Sequence, residues 1–327
     1  MSSVPPVVVG MPVYNGSAHL RGALDSILAQ TFGDFELIIA DNASTDGTEE
    51  ICREYAGRDS RIRYIRNAEN LGASANFNKV FEVSSGGTYF RWAAHDDLLA
   101  PTCLEKHKQI LDNGPASAVT SITLRRYISW DGQRLIGTPY DCVAGVSTEA
   151  GYAPGQPLEH LDRFDDIDFK KMLRMAGGWF PILAFGMHKT AALKKTHLLQ
   201  PFPGADLVLT AELLFLGDFL CVPEELYFQR LHPAEGWTLR ADRTQEAAWF
   251  NPRSRGTLLP HRANLYFQYS RSILHSPVGM GRKASLFGDI LGRFGHAASR
   301  KVRSRFGASG NGAVDSGNTA TARRERR

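Results

Sequence analysis

The chain has 327 residues, of which 43% are hydrophobic, enough for one large α/β domain with a helical extension. Its formal net charge of +4 does not call for a nucleic-acid partner, and no apolar run reaches the length of a membrane span. Met1–Pro6 leads directly into a predicted strand, which indicates a cytoplasmic protein without a signal peptide. The four scattered cysteines lack metal-ligand spacing, and we interpret them as reduced thiols.

The first predicted strand begins at Val7 with a continuous β-branched run, a pattern typical of a strand buried on both faces. The segment 12–16 (PVYNG) then stops the strand, because proline, asparagine and glycine favour a turn. A helix with one apolar face follows, since Leu20, Leu24 and Ile27 recur at helical spacing.

Three more strands follow in the same order. The strand 35–40 ends at Asp41, and capping-type residues at 44–49 precede a helix over 50–55. A strand over 62–65 and a helix from 70–72 through Val83 come next. The run 89–92 is then strand-like and aromatic. This alternation predicts a mostly parallel sheet with helices on both faces.

Polar and aromatic residues follow the predicted strands, where ligands bind in such sheets. They are Tyr14, Asn15, Asp41, Asp96 and Asp97. Adjacent carboxylates repel each other, and a hard divalent ion that carries phosphate oxygens would stabilise them. Taken alone, an Asp-Asp pair also fits a solvated turn.

Together these motifs resemble the inverting family 2 glycosyltransferases of GT-A fold. The resemblance rests on PVYN at 12–15, DNASTDGT at 41–48, NLG at 70–72, HDD at 95–97 before Pro101, GAD at 204–206 and QRLHP at 229–233. It covers about residues 5–235 and implies a catalytic domain over 1–235, with a nucleotide-binding half at about 5–115 and an acceptor half at about 116–235.

The resemblance implies a UDP- or dTDP-sugar donor. Tyr14 would offer an aromatic face to the base, and Asp41 would accept a hydrogen bond from the pyrimidine imide N–H. The alternatives are packing at the sheet edge for Tyr14 and capping of the following turn for Asp41. The other donor-site positions are Pro12, Asn15, Asn70 and Asn76, although helix-start chemistry also explains Asn70.

The acid pair departs from the family pattern, which commonly reads acid-any-acid. Aligned on Pro101, the first acid is replaced by Ala94, and Asp96 falls on the position usually linked to Mn²⁺ or Mg²⁺. Asp97 either binds the metal or fixes the loop. His95 either substitutes in part for the lost donor contact or is a simple hydrogen-bond partner.

The remaining chemistry is implied by the later motifs. Asp206 would be the base that accepts the proton of the acceptor hydroxyl, and its alternative role is to cap the helix that follows. Arg230 would contact the diphosphate and neutral His232 would ligate the metal, whereas a lone histidine is often structural. In-line attack then inverts the anomeric centre.

The C-terminal part has a different character. A helical extension is predicted over 236–306, and its segment 282–306 combines basic with apolar positions. Such a helix would lie on an anionic membrane at the inner face, or it would pack on the catalytic domain with a solvated basic side. The tail 307–327 has the composition of a disordered basic segment.

The sequence therefore predicts a metal-dependent inverting glycosyltransferase that acts on a glycan or lipid-linked acceptor in cell-surface glycan or glycolipid synthesis. One alternative is a non-catalytic nucleotide-sugar or glycan-binding protein that keeps the fold, and Ala94 supports it. Another is a sugar-nucleotide pyrophosphorylase. That class would need a glycine-rich, basic phosphate loop after the first strand, which residues 12–16 do not supply.

Overall fold

The computed structural model describes residues 4–129, 131–133, 135–140, 184–230, 243–253 and 260–292. The described strands are β1 (Val7–Val13), β2 (Phe35–Asp41), β3 (Ile62–Arg66), β4 (Tyr89–Trp92), β5 (Leu98–Leu99), β6 (Ala118–Ile128), β7 (Leu135–Tyr140), β8 (Met187–Lys189) and β9 (Asp218–Arg230). The described helices are α1 (Leu20–Leu28), α2 (Thr48–Arg58), α3 (Ala73–Glu82), α4 (Cys103–Asn113), α5 (Thr190–Leu193), α6 (Ala205–Leu216), α7 (Arg243–Phe250), α8 (His261–His275) and α9 (280–292).

The strands form one sheet in the order β3-β2-β1-β4-β8-β6-β9-β5, with β7 paired to β6. The first four strands in this order are parallel, as the alternating pattern predicts. Beyond β4 the sheet is mixed, because β8 runs antiparallel to both of its neighbours whereas β6 and β9 are parallel. The parallel half brings the carboxyl ends of β1, β2 and β4 to one edge.

The core confirms the predicted periodicity. Every residue of β1 is buried, and α1 buries Leu20, Ala23, Leu24 and Ile27 on one face. Helix α3 packs closely on the sheet at Gly10, where a Cβ would lie 2.7 Å from Val80 Cγ2 and 2.6 Å from the Phe90 ring. A side chain at Gly10 would therefore push α3 away from the sheet.

A buried polar layer lies between β4, α4, β6 and β8. Arg91 Nη1 lies 3.2 Å from His107 Nε2, and His107 Nδ1 lies 2.8 Å from Ser121 Oγ. His188 Nδ1 lies 2.9 Å from Thr120 Oγ1. Burial, with the nearby Arg91 charge, lowers the pKa of His188 to about 4 and holds the pKa of His107 well below its usual value.

These histidines make stability depend on pH. In the unfolded chain both histidines bind protons near pH 6.5, whereas in the folded protein both imidazoles stay neutral to lower pH. The free energy of unfolding is therefore highest above about pH 6.5 and decreases below it. We expect urea unfolding to show a loss of roughly 2–4 kcal/mol between about pH 7 and pH 5. The loss of unfolding free energy between these two pH values should be smaller in His188→Gln. It should stay unchanged in His275→Gln, which alters an exposed residue. Equal stability at both pH values would contradict the assignment.

The C-terminal helices pack on the same core. Helix α8 buries Leu265, Tyr269 and Ile273 against α6, and α9 buries Leu286 and Ile290. Within the described ranges, no helix is long and apolar enough to cross a membrane. Three described cysteines are free and buried, in line with reduced thiols, whereas Cys142 lies outside the described residues.

Candidate active site

We call the carboxyl edge of β1, β2 and β4 the site edge. Here the loops after β1 and β2 are joined by hydrogen bonds. Asn15 has a φ of 50°, in the left-handed region that asparagine tolerates. Its side-chain oxygen accepts a hydrogen bond from the Thr45 N–H at 2.8 Å, and its own N–H donates to Ser44 Oγ at 2.9 Å. Asn15 therefore shapes the loop that carries Tyr14, whose side chain is 42% exposed. Pro12, by contrast, is buried inside β1.

Asp46 supports the same junction. Its carboxylate accepts the N–H groups of Ser17 and Thr48, each at 3.1 Å. Although burial raises the pKa of Asp46, hydrogen bonds from Thr48 and Ser17 outweigh that effect and lower it below the usual value. These contacts are those of the turn residue that the sequence indicates.

Asp41 ends β2 and is 0% exposed. Its carboxylate accepts hydrogen bonds from the Ser44 N–H at 2.8 Å and the Tyr64 hydroxyl at 2.9 Å, and it forms an ion pair with Arg66. Arg66 also donates to the Ser44 carbonyl at 2.9 Å. The Asp41 carboxylate is therefore buried and bonded to Ser44, Tyr64 and Arg66.

Asparagine side chains organise the end of β2 and the start of α3. The Asn76 amide is buried and donates to the Ala40 carbonyl at 2.8 Å, while its oxygen accepts from Asn67 at 2.8 Å. Asn70 is exposed, and its oxygen accepts from Asn42 at 2.8 Å. Both predicted donor residues thus lie at the site edge, with Asn76 beneath the surface and Asn70 on it.

His95 joins the loop after β4 to the loop after β1. A Cβ added to Gly16 would overlap the His95 ring, so the imidazole lies directly against this glycine. The structure therefore brings His95 against the loop that carries Tyr14 and Asn15, as expected for residues at one edge of a parallel sheet.

Asp97 connects the acidic loop to β9. It is buried, accepts a hydrogen bond from the Tyr227 hydroxyl, and accepts the Arg230 N–H at 2.8 Å. Burial and the Asp97 charge raise the pKa of Tyr227 well above its usual value, so the phenol remains a proton donor. These contacts are the ones that a loop-fixing residue would make.

Arg230 is held against Asp96 by the same connection. Its Nε donates to the Asp96 carbonyl at 2.8 Å and its Nη1 to the Ser129 carbonyl at 3.4 Å. Because β9 ends at Arg230, the guanidinium lies beside the acidic loop although it is far away in sequence. Asp96 itself is half-buried.

A divalent ion would fit this edge with few protein ligands. Among the residues that the structure describes, no three His, Cys, Asp or Glu side chains converge on one point. Magnesium sites for nucleotides commonly use one or two carboxylates, with substrate phosphates and water supplying the other oxygens. Asp96 fits that donor set, whereas Asp97 is already bonded to β9. His232 lies outside the described residues.

Asp206 is the second residue of α6, which begins after Gly204 in the left-handed conformation. It is half-buried, and the positive end of the helix dipole favours its ionised form. Gly204 occupies the N-cap position, so Asp206 is not the N-cap of this helix. Burial is the main cause that raises the pKa of Tyr269 on α8, and the Asp206 charge raises it further. Asp206 therefore lies near α8.

Removing the Tyr227 hydroxyl should weaken the acidic loop. We expect Tyr227→Phe to lower the free energy of unfolding by about 1–3 kcal/mol, because a buried carboxylate loses a donor. Tyr89→Phe is the matched control, since its hydroxyl donates at 2.6 Å to the more exposed Asp112. Urea unfolding of both variants measures the difference. Equal effects would show that the Tyr227–Asp97 bond adds little.

Residues 8–176 match the sequence family described as Glycosyl transferase family 2, which is more than half of the chain. The chain belongs to this family. The match confirms the resemblance that the motifs carry.

Curated relatives are similar to about a third of this chain. EpsE of Bacillus subtilis, a putative glycosyltransferase, is 39% identical over 113 residues, which are 34% of this chain and 40% of EpsE. The glycosyltransferase GlyA of Streptococcus pneumoniae is 37% identical over 107 residues, which are 32% of this chain and 15% of GlyA. The matches therefore span less than half the length of these relatives.

Solved structures show the same fold at low sequence identity. TarS 1–349 of S. aureus, in complex with UDP, has a TM-score of 0.58 at 14% identity, covering 88% of this chain and 71% of that one. The mannosyltransferase PcManGT of Pyrobaculum calidifontis, in complex with GDP-Man and Mn²⁺, has a TM-score of 0.52 at 14% identity, covering 94% and 83%. The fold of this family 2 chain is the GT-A fold.

The structure adds three residues to the candidate site of this family 2 chain. Tyr64 and Arg66 contact Asp41, and Tyr227 contacts Asp97. The signal for Arg66 is its position opposite Asp41 in the parallel β2–β3 pair. That register becomes readable only when the strand ends are known.

Proposed function

We propose that the chain is a metal-dependent inverting glycosyltransferase. It moves a sugar from a UDP- or dTDP-sugar to a hydroxyl of a glycan or lipid-linked acceptor, in cell-surface glycan or glycolipid synthesis. The observation that carries the proposal is the junction of the acidic loop with β9, which places Arg230 against Asp96 at the carboxyl edge of the sheet. Membership of family 2 supports transfer over the pyrophosphorylase alternative.

In the proposed donor site, Tyr14 stacks on the base and Arg66 and Asp41 face its edge. Asp96 would hold a Mn²⁺ or Mg²⁺ ion, which would supply positive charge to the leaving diphosphate. Arg230 adds a fixed positive charge to the same side. Relatives in fold that were solved with UDP-GlcNAc and with GDP-Man and Mn²⁺ support a nucleotide-sugar donor and a divalent ion.

In the proposed transfer step, Asp206 accepts the proton of the acceptor hydroxyl. The oxygen attacks the anomeric carbon opposite the diphosphate, the sugar–phosphate bond breaks, and its electron pair leaves with the diphosphate. A single displacement inverts the configuration. His232, in the segment beyond Arg230, is proposed as a further metal ligand.

The remaining assignments belong to the same proposal. The catalytic domain spans 1–235, the helical extension 236–306 and the basic tail 307–327. The protein acts in the cytoplasm, with peripheral membrane contact through 282–306. Of this segment, residues 282–292 belong to α9, which packs on the core by Leu286 and Ile290; residues 293–306 and the tail lie outside the described residues.

The test is donor hydrolysis over a panel of uridine, thymidine, guanosine and cytidine diphosphate sugars, with Mn²⁺, Mg²⁺ or chelator. We expect slow, metal-dependent release of sugar from one pyrimidine donor. Tight donor binding without turnover, in the parent and in Asp206→Asn alike and with acceptors added, would favour the binding-only alternative that Ala94 supports. Absence of both hydrolysis and metal-dependent nucleotide binding would contradict the donor site.

A further inference from the structure

One face of α8 and the start of α9 is apolar, basic and exposed. On α8, Phe267 is 58% exposed and Leu274 is 61% exposed. They are seven residues apart, which is two helical turns, so both side chains lie on the same face. Arg271, also exposed, lies between them on that face. The opposite face of α8 packs on the core.

Helix α9 continues this surface. Lys283 Nζ donates to the Leu274 carbonyl at 2.8 Å, which holds the first turn of α9 against the last turn of α8. Met280 lies one turn before Lys283 and is 79% exposed. Arg282 is also exposed, on a different side of the same turn. The exposed large apolar and cationic residues of α8 and the first turn of α9 therefore include Phe267, Arg271, Leu274, Met280 and Arg282, and we call this set the α8–α9 surface.

The charge on this part of the chain is one-sided. Between residues 260 and 292 the single acidic residue is Asp289, which is half-buried. In contrast, exposed cations on α2 are paired, since Arg53 bonds Glu49 and Arg58 bonds Glu54. Large apolar side chains flanked by cations, without an exposed acid, complement an anionic lipid headgroup layer with acyl chains beneath it.

We infer that this α8–α9 surface is a membrane-binding face that docks on anionic phospholipid. The inference deepens the proposed function, on which it rests, because a lipid-linked acceptor would be met at the same bilayer. It extends the proposed contact at 282–306 to exposed apolar residues on α8 and the first turn of α9. Phe267, Leu274 and Met280 would enter the interface, while Arg271 and Arg282 would meet the headgroups.

The test is sedimentation of the full chain with vesicles of phosphatidylcholine alone or mixed with phosphatidylglycerol. We expect binding to the mixed vesicles, weakened by salt. The double variant Phe267→Ser/Leu274→Ser should lower partitioning by about tenfold or more, because two large apolar side chains no longer enter the interface. Arg271→Gln/Arg282→Gln should lower it by about tenfold as well.

The matched control is Arg53→Gln/Arg58→Gln on α2, which removes the same charge and should leave partitioning unchanged. Parent-like partitioning of both α8–α9 variants would overturn the inference, as would a parental dimer that dissociates in Phe267→Ser/Leu274→Ser. Donor hydrolysis should be equal in all variants. Hydrolysis without vesicle binding would reject the membrane face alone, whereas vesicle binding without hydrolysis or nucleotide binding would reject the proposed transferase.

Discussion

Asp96→Ala is expected to lower kcat/KM for the nucleotide-sugar donor by at least about 1000-fold. The proposed ion neutralises charge that develops on the leaving diphosphate, and losing several kcal/mol of that stabilisation corresponds to this factor. Asp96 is half-buried on a loop that is held by the Asp97 carboxylate and by a hydrogen bond from Arg230 to the Asp96 backbone carbonyl, and both of these contacts remain in the variant.

The control for this variant is Asp34→Asn. Asp34 is exposed and precedes β2, at the opposite end of the sheet from the loop after β4. Donor hydrolysis and Mn²⁺-dependent nucleotide binding should stay at the parental level in the control. Both should be lost in Asp96→Ala, while the thermal midpoint stays unchanged. A variant with parental nucleotide affinity in Mn²⁺ would show that Asp96 is not the metal ligand.

Asp206→Asn is expected to lower kcat by about 100- to 10,000-fold and to leave donor affinity unchanged, because a general base contributes about that factor to transfer. The amide keeps the size of the carboxylate at the start of α6, and Gly204 remains the N-cap. Steady-state kinetics with acceptor and calorimetric titration with donor measure the two quantities separately.

The split between kcat and donor affinity identifies the role of Asp206. A purely structural carboxylate in the first turn of α6 would change the thermal midpoint instead, through loss of its interaction with the helix dipole. A drop in midpoint with parental kcat would therefore reject the base assignment. Weakened donor binding with parental kcat would move Asp206 to the donor site.

The first half of the fold is readable from the sequence because its signals are local. Buried β-branched runs, turn residues and helical spacing predict β1 to β4 and α1 to α3 in order, and the structure confirms them. Beyond β4 the sheet depends on pairings between distant segments, such as β8 between β4 and β6. Periodicity within a segment carries no information about such pairings.

In the candidate site too, the positions of residues follow from local sequence, whereas their partners depend on distant segments. The strand-end residues are predictable because parallel strands end at one edge. The environment of Asp97 is not, since its partner Tyr227 is 130 residues away and reaches it only through the course of β9. The environment of Asp41 depends similarly on the register that places Arg66 opposite it. Tertiary packing decides which groups pair with these carboxylates. From the sequence alone, Asp41 is either a donor contact or a turn cap, and Asp97 is either a metal ligand or a residue that fixes the loop.

A crystal structure of the chain with UDP and Mn²⁺, in which the anomalous signal locates the metal, tests the proposed donor and metal site. We expect the metal to bind the Asp96 carboxylate and the diphosphate oxygens, with the base beside Tyr14 and Arg230 on the diphosphate side. UDP or Mn²⁺ bound elsewhere, with the edge at Asp96 left to solvent, would contradict this expectation.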